Sequence, residues 1–277
     1  MNFPKLRFLL ITSLTFGITS ILFAQEAYRE IDVKNGGTIK GTVILKGTPP
    51  APEMITVAAD TASCGKTKTL SSLTIGTNQG VKDTIVGLEG VTQGRKLDRT
   101  VHVELDQLKC EYAPHILIVP KGATVQFVNS DSILHNIHAY DLQSKTDAQI
   151  GPKTLFNMAL PIKGMKIAKP MSQSGLVRML CDAGHPWMNA YVLVTEHPYF
   201  AITDENGNFV LNGVPPGTYT ITMWHEGQAK VETSTKSYAA SEPYRISQKV
   251  TVTAGGTSQV NFTLDVGSSG TKASTLR

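Results

Sequence analysis

The sequence predicts an all-β chain built from two sandwiches, and three observations carry that expectation. Short runs rich in Val, Ile and Thr recur at roughly ten-residue spacing between turn residues. The 24 Gly and 14 Pro are scattered between those runs instead of being concentrated in one segment. No stretch shows the 3.6-residue apolar period of a long amphipathic helix, which excludes a helical bundle and a doubly wound nucleotide-binding fold. With 41% hydrophobic and 17% charged residues, the 277-residue chain has enough apolar surface for packed cores, so wholesale disorder is excluded as well.

The first element is an export signal. Lys5 and Arg7 precede an uncharged, mostly apolar run from Phe8 to Phe23, and Ala24 supplies a small residue for cleavage. Residues 1–24 are therefore expected to be removed, placing the chain in the periplasm or outside the cell with no remaining membrane span. Their loss leaves 24 basic against 22 acidic residues, a net charge of +2, and no Lys/Arg-rich run remains. Nucleic acid is not an expected partner.

The first strand is Thr38 to Lys46, ended by Gly47, Pro49 and Pro50. A Ser/Thr/Gly-rich stretch follows, read as loop, and then a strand from Asp83 to Leu88. From Thr100 onward the runs become dense: Val101 to Leu105, Ile116 to Val119, Thr124 to Val128, Thr154 to Leu160, Gly175 to Leu180 and Ala190 to Val194. Their spacing reads as one sandwich over residues 98–196. Tyr199 to Asp204 and Phe209 to Leu211 form a hairpin around the turn at Asp204 to Gly207. Thr218 to Trp224 alternates with a strand period, and Val250 to Thr253 pairs with Val260 to Leu264 across Ala254 to Gly256. Residues 267–277 read as a disordered tail.

Chemistry concentrates in one segment. Cys181, His185 and Met188 place a thiol, an imidazole and a thioether within eight residues, and His135 with Asn136 follows a strand about 45 residues upstream. Two His, one Cys and a weak Met are the donor set of a mononuclear blue-copper centre. The soft sulfurs favour Cu(I), while imidazole suits both oxidation states. Taken singly, each of these residues is more often a core filler; together they point to a metal.

Val119, Gly122, Val125, Phe127, Asn129, Asp131, His135 and Asn136, followed by Cys181, His185 and Met188, make the chain resemble the cupredoxins, the plastocyanin- and azurin-like Greek-key sandwiches. The resemblance implies one copper per chain, held by His135, Cys181 and His185 with Met188 as axial ligand. It also gives Asn136 the task of tying the His strand to the Cys loop. The loop spacing is that of a binuclear copper centre, but Val177 stands where the second Cys would be, so a single copper is expected. With Cys181 kept as a thiolate, Cys64 and Cys110 are the pair left to form a disulfide in an oxidising compartment.

The remaining histidines are expected elsewhere. His138 lies three positions after His135 on a strand and so on its opposite face. His115 is an alternative ligand, His102 an ordinary strand residue, and His197 and His225 belong to the other module. There, Thr203 to Gly207 with Phe209, and Val214 to Gly217 with Tyr219, resemble the carboxypeptidase regulatory-like, transthyretin-like sandwich. The Ile39, Gly41, Val43 pattern resembles the first strand of that fold, so residues 37–97 and 197–266 are expected to form one discontinuous sandwich with the other inserted between its strands; the alternative is a simple tandem in which residues 37–97 extend the first sandwich at its N-terminus. The combination is similar to exported bacterial proteins described as methylamine-utilisation-like.

The function these residues imply is one-electron transfer with a redox partner protein through an exposed His185 edge rimmed by Pro186 and Trp187. The alternatives are a copper carrier or sequestration protein, and a carbohydrate- or surface-binding module with a structural metal. No enzyme is expected, because copper oxidases and nitrite reductases need further His clusters and the chain has no His-x-His pair.

Overall fold

A computed structural model describes residues 27–70, 72–143, 153–232 and 237–266. The expected signal and C-terminal tail lie outside the described residues. Among the described residues the regular structure is almost entirely strand, and most of the strands form two sandwiches.

In the first sandwich, a four-stranded sheet runs in the order Lys166–Pro170, Thr124–Asn129, Val103–Leu108, Glu111–Ala113. It faces a five-stranded sheet in the order Lys153–Leu160, His135–Asp141, Gly175–Leu180, Asn189–Thr195, Ile116–Pro120. Thr124–Asn129 runs parallel to Val103–Leu108, and Asn189–Thr195 parallel to Ile116–Pro120; the other pairs are antiparallel. Leu105, Val125, Phe127, Ile137, Met179, Ala190 and Val192 fill the space between the sheets.

The second sandwich takes strands from both sides of the first in sequence. One sheet runs Phe200–Ile202, Ile85–Glu89, Gly217–His225, Tyr244–Val252. The other places Gly37–Lys46 between Asn208–Val214 and the pair Thr257–Gln259 and Phe262–Asp265. Gly37–Lys46 alternates inward and outward residues, so Ile39, Val43 and Leu45 pack with Ile221 and Met223 in one core. Gly41 is required there: a Cβ would lie 1.5 Å from the Val260 carbonyl oxygen, so the strand could not approach its neighbour with any other residue.

The two sandwiches meet through Ile85, Ile116, Leu176, Tyr191, Leu193 and Trp224. Asn189–Thr195 explains the junction locally. Ala190, Val192 and Val194 face the first core, while Tyr191 and Leu193 face the second sandwich, so the strand is buried on both sides. Tyr191 and Trp224 meet edge to face with ring centroids 5.0 Å apart. Among the described residues, no helix is long and apolar enough to cross a membrane.

The sequence pattern does not reveal a small hairpin, Glu53–Thr56 with Thr67–Leu70, whose connection carries the one-turn helix Thr61–Cys64. It belongs to neither sandwich sheet and packs on the first core through Val57, Cys64 and Leu70.

Candidate metal centre

Three of the sequence-predicted residues converge at one end of the first sandwich. His135 opens the strand His135–Asp141, while Cys181 and His185 lie in the loop between Gly175–Leu180 and Asn189–Thr195. The Nδ1 atoms of His135 and His185 are 3.1 Å apart. The Cys181 Sγ lies 3.7 Å from the first and 3.6 Å from the second. All three residues are buried. Met188 is buried in the same core cluster, and its N–H donates to the His185 carbonyl at 3.0 Å, closing the loop beside the triad.

The local structure explains the convergence. Asn129 ends its strand and donates from Nδ2 to the carbonyls of Ile133 and Leu160, at 2.8 and 2.7 Å, which fixes the short loop leading to His135. Gly184 takes a left-handed φ of 89°, turning the chain between Cys181 and His185. Asn136 Oδ1 accepts the Asp182 N–H at 2.6 Å, and its Nδ2 donates to Asn157 Oδ1 at 2.7 Å. The His strand and the Cys loop are thereby joined through one side chain.

Carboxylates set both imidazole tautomers. His135 Nε2 donates to Asp131 Oδ2 at 2.9 Å, and His185 Nε2 donates to Asp60 Oδ2 at 3.2 Å. Each ring therefore turns a lone pair on Nδ1 toward the other and toward the sulfur. Asp131 is itself anchored, accepting the N–H groups of Lys109 and Cys110 at 2.8 Å each. Burial works to raise its pKa, but those N–H groups and His135 hold it below the usual carboxylate range. Burial lowers the pKa of His185, with the neighbouring His135 adding to the effect, so the neutral, ligating form is favoured. Burial also pushes the Cys181 thiol up, opposed by backbone groups of Asn136 and Ala183.

Two lone pairs and a sulfur crowded together without a strong donor between them are a donor set that could hold a cation. The separations also fit: donors at about 2.0–2.1 Å (N) and 2.3 Å (S) from one centre stand about 3–4 Å apart. The donor set suits a soft or borderline transition metal.

Cys64 and Cys110 form a disulfide, with Cα atoms 5.2 Å apart, and Cys181 is the free cysteine. The sulfurs of this disulfide and a ring nitrogen of His185 lie within 4.8 Å of one another. Cys110 occupies a left-handed turn with Lys109, at φ of 58° and 54°, and its carbonyl accepts the Trp187 Nε1–H at 2.8 Å.

The expected hairpin of Val250 to Thr253 with Val260 to Leu264 does not form, because Tyr244–Val252 pairs with Gly217–His225 and Phe262–Asp265 with Gly37–Lys46 in the facing sheet. The His185 edge is not exposed: the residue has 0% accessibility, Trp187 is 8% exposed, and Asp60 caps the ring. The hairpin and one-turn helix of residues 53–70 cover the edge expected to be open. That cover has no sequence signature because its strands are exposed on most positions and lack an alternating apolar pattern. Asp60 carries no motif; Asp131 stands four residues before His135, a spacing that brings a carboxylate within reach of the ring.

The other histidines lie away from the triad. His115 pairs with Glu226 and donates its Nδ1–H to the Asn189 carbonyl, 3.1 Å away. His138 bonds Asp182 at 2.6 Å and Thr154 at 2.8 Å on the opposite face of its strand. His197 stacks on Phe200, and burial pushes its pKa down to about 4. His225 is buried against the Glu226 carbonyl, and His102 is exposed.

Residues 174–265 match the family model of the carboxypeptidase regulatory-like domain. The matched span begins in Gly175–Leu180 and Asn189–Thr195, which pair within the first sandwich, and omits Gly37–Lys46 and Ile85–Glu89, which complete the second. A search of curated proteins finds no match. Solved structures similar to this chain include a purple cupredoxin from Nitrosopumilus maritimus, 25% identical, covering 34% of this chain and 99% of its own, with a TM-score of 0.27. Amicyanin from Paracoccus versutus is 22% identical over 34% of this chain and 81% of its own, with a TM-score of 0.28. A copper-containing nitrite reductase from Thermus scotoductus is 20% identical over 38% of this chain and 24% of its own, also with a TM-score of 0.28.

Proposed function

We propose that the chain is an exported copper protein that holds one mononuclear copper on His135, Cys181 and His185, with Met188 as a weak fourth ligand, and passes single electrons to a partner protein. The observation that carries this reading is the buried triad, with Nδ1, Nδ1 and Sγ separated by 3.1, 3.6 and 3.7 Å and both tautomers fixed by carboxylates. Bound copper would supply the one-electron couple. The protein's part is to hold one donor arrangement for both oxidation states and to exclude water. Asn136 and Asp131 brace two of the three donors, which keeps rearrangement small. A disulfide between Cys64 and Cys110 agrees with life in an oxidising compartment, which supports export.

The closed His185 edge favours a second reading, in which the copper is carried or sequestered without fast electron exchange. The test is the visible and EPR spectrum after one equivalent of Cu(II), beside Cys181→Ser. An intense thiolate-to-copper band lost in the variant supports the copper site, and rapid, reversible redox cycling then separates the electron carrier from the store. A colourless protein with ordinary tetragonal signals would sink both.

A further inference from the structure

The cover over His185 contains a second set of donors. Its inner side carries Cys64, bonded to Cys110, and both sulfurs lie within 4.8 Å of a His185 ring nitrogen. His185 is thus common to two groups, the triad with His135 and Cys181 and the pair Cys64 and Cys110, and the Cys110 sulfur also lies within 4.8 Å of a His135 ring nitrogen. The cover is thin. Of residues 53–70 only Val57, Cys64 and Leu70 are buried, while Asp60, Thr61 and Ala62 face solvent. Its strands pair with each other and join neither sandwich; besides the disulfide, its ties to the rest of the chain include those side chains, Asp60 on His185, and Lys68 on the Lys109 carbonyl and Glu111.

We propose that Cys64, Cys110 and His185, with the disulfide reduced, form a metal-loading site that takes Cu(I) from outside and hands it inward to His135 and Cys181. This rests on the copper reading of the inner triad. The reductant is a dithiol of the kind carried by thiol–disulfide oxidoreductases. The Cys64–Cys110 bond breaks, two S–H groups form, and the dithiol becomes a disulfide, so two electrons and two protons reach the protein. Cu(I) then displaces the two thiol protons and stays Cu(I) throughout. Two thiolates and an imidazole are a soft donor set suited to that ion. Because His185 belongs to both groups, the ion can exchange the two cysteines for Cys181 and His135 while one ligand is retained. The oxidised disulfide offers no thiolate, so it closes the route behind the loaded metal.

The experiment uses the whole chain with Cys181→Ser, which disables the inner triad, and free Cu(I) competed against a chromophoric Cu(I) chelator without oxygen. After reduction with a phosphine, this chain is expected to withdraw one Cu(I) about 100-fold more tightly than the same chain with its disulfide intact. Adding His185→Ala to the reduced chain should weaken binding about tenfold. X-ray absorption should show two sulfur neighbours. Equal competition by reduced and oxidised chains would overturn the proposal, as would binding indifferent to His185. The oxidised chain has the same sequence as the reduced one, so the comparison does not depend on a cysteine-free variant folding. The copper reading fails separately, through absence of the Cu(II)–thiolate band in the disulfide-intact wild type.

Discussion

Asp60 Oδ2 accepts the Nε2–H of His185 at 3.2 Å across 125 residues of sequence. Asp131 does the same for His135 from four residues away. The two imidazoles are therefore oriented by unlike devices. One carboxylate is built into the loop that delivers its histidine and is tied to the Lys109–Cys110 turn. The other arrives on a separate segment stapled to that same turn by the disulfide. Cys110 thus links both supports, through its N–H to Asp131 and its sulfur to Cys64.

Asp131→Ala should weaken metal binding more than it disturbs the fold. It removes the acceptor that sets the His135 tautomer, an outer contact whose loss typically costs 10- to 100-fold in affinity. It also leaves the Lys109 and Cys110 N–H groups without their acceptor, at about 1–3 kcal/mol of stability. A chelator competition and a urea unfolding curve read the two effects independently.

Asn136→Ala should loosen the Cys181 loop. The Asp182 N–H loses its acceptor, and Asn157 loses the Nδ2 donor. The expected cost is about 1–2 kcal/mol, with faster amide exchange at Asp182 and unchanged exchange in the second sandwich. Uniformly faster exchange would mean that Asn136 supports the whole fold instead of the loop.

How far the sequence could be read follows from the range of the interactions. Cys181, His185 and Met188 are close in sequence, and their loop turns on Gly184, so the donor set is legible from the residues alone. Ile39, Gly41 and Val43 mark a strand of the second sandwich because inward positions alternate. Asp60 is not legible: its role depends on the Cys64–Cys110 bond bringing a largely exposed, patternless segment across the site. Lys166–Pro170 escapes for a similar reason, since it is an edge strand with lysines at 166 and 169 and a closing proline.

Gly41→Ala is expected to destabilise the second sandwich severely. The added methyl would meet the Val260 carbonyl oxygen at 1.5 Å and its carbon at 2.6 Å, both backbone atoms that cannot swing aside. Overpacking of this kind costs about 3 kcal/mol or more. Thermal unfolding with amide exchange as the local probe should show the loss at Gly37–Lys46 and its partners. A wild-type melting temperature would show that the strand pairs differently in solution.

His115, just before Ile116–Pro120, pairs with Glu226, which follows Gly217–His225 in the other sandwich and is itself buried. Burial alone would lower the His115 pKa, but the Glu226 charge and hydrogen bond outweigh it and the pKa is raised. A raised histidine pKa means the folded state binds the proton more tightly than the unfolded one. The stabilisation is therefore fully present below the unfolded value of about 6.5 and is lost as pH rises through the folded value. Wild-type stability should fall over that window. Glu226→Gln should flatten the profile and cost about 1–3 kcal/mol at the acidic end, with little cost at the alkaline end. Unfolding curves at a series of pH values measure both limbs, and His115→Gln supplies the control, since it removes the same proton from the other side of the pair. A slope that survives Glu226→Gln would assign the pH dependence to another group and leave the junction to the apolar cluster of Ile85, Ile116, Leu176, Tyr191, Leu193 and Trp224.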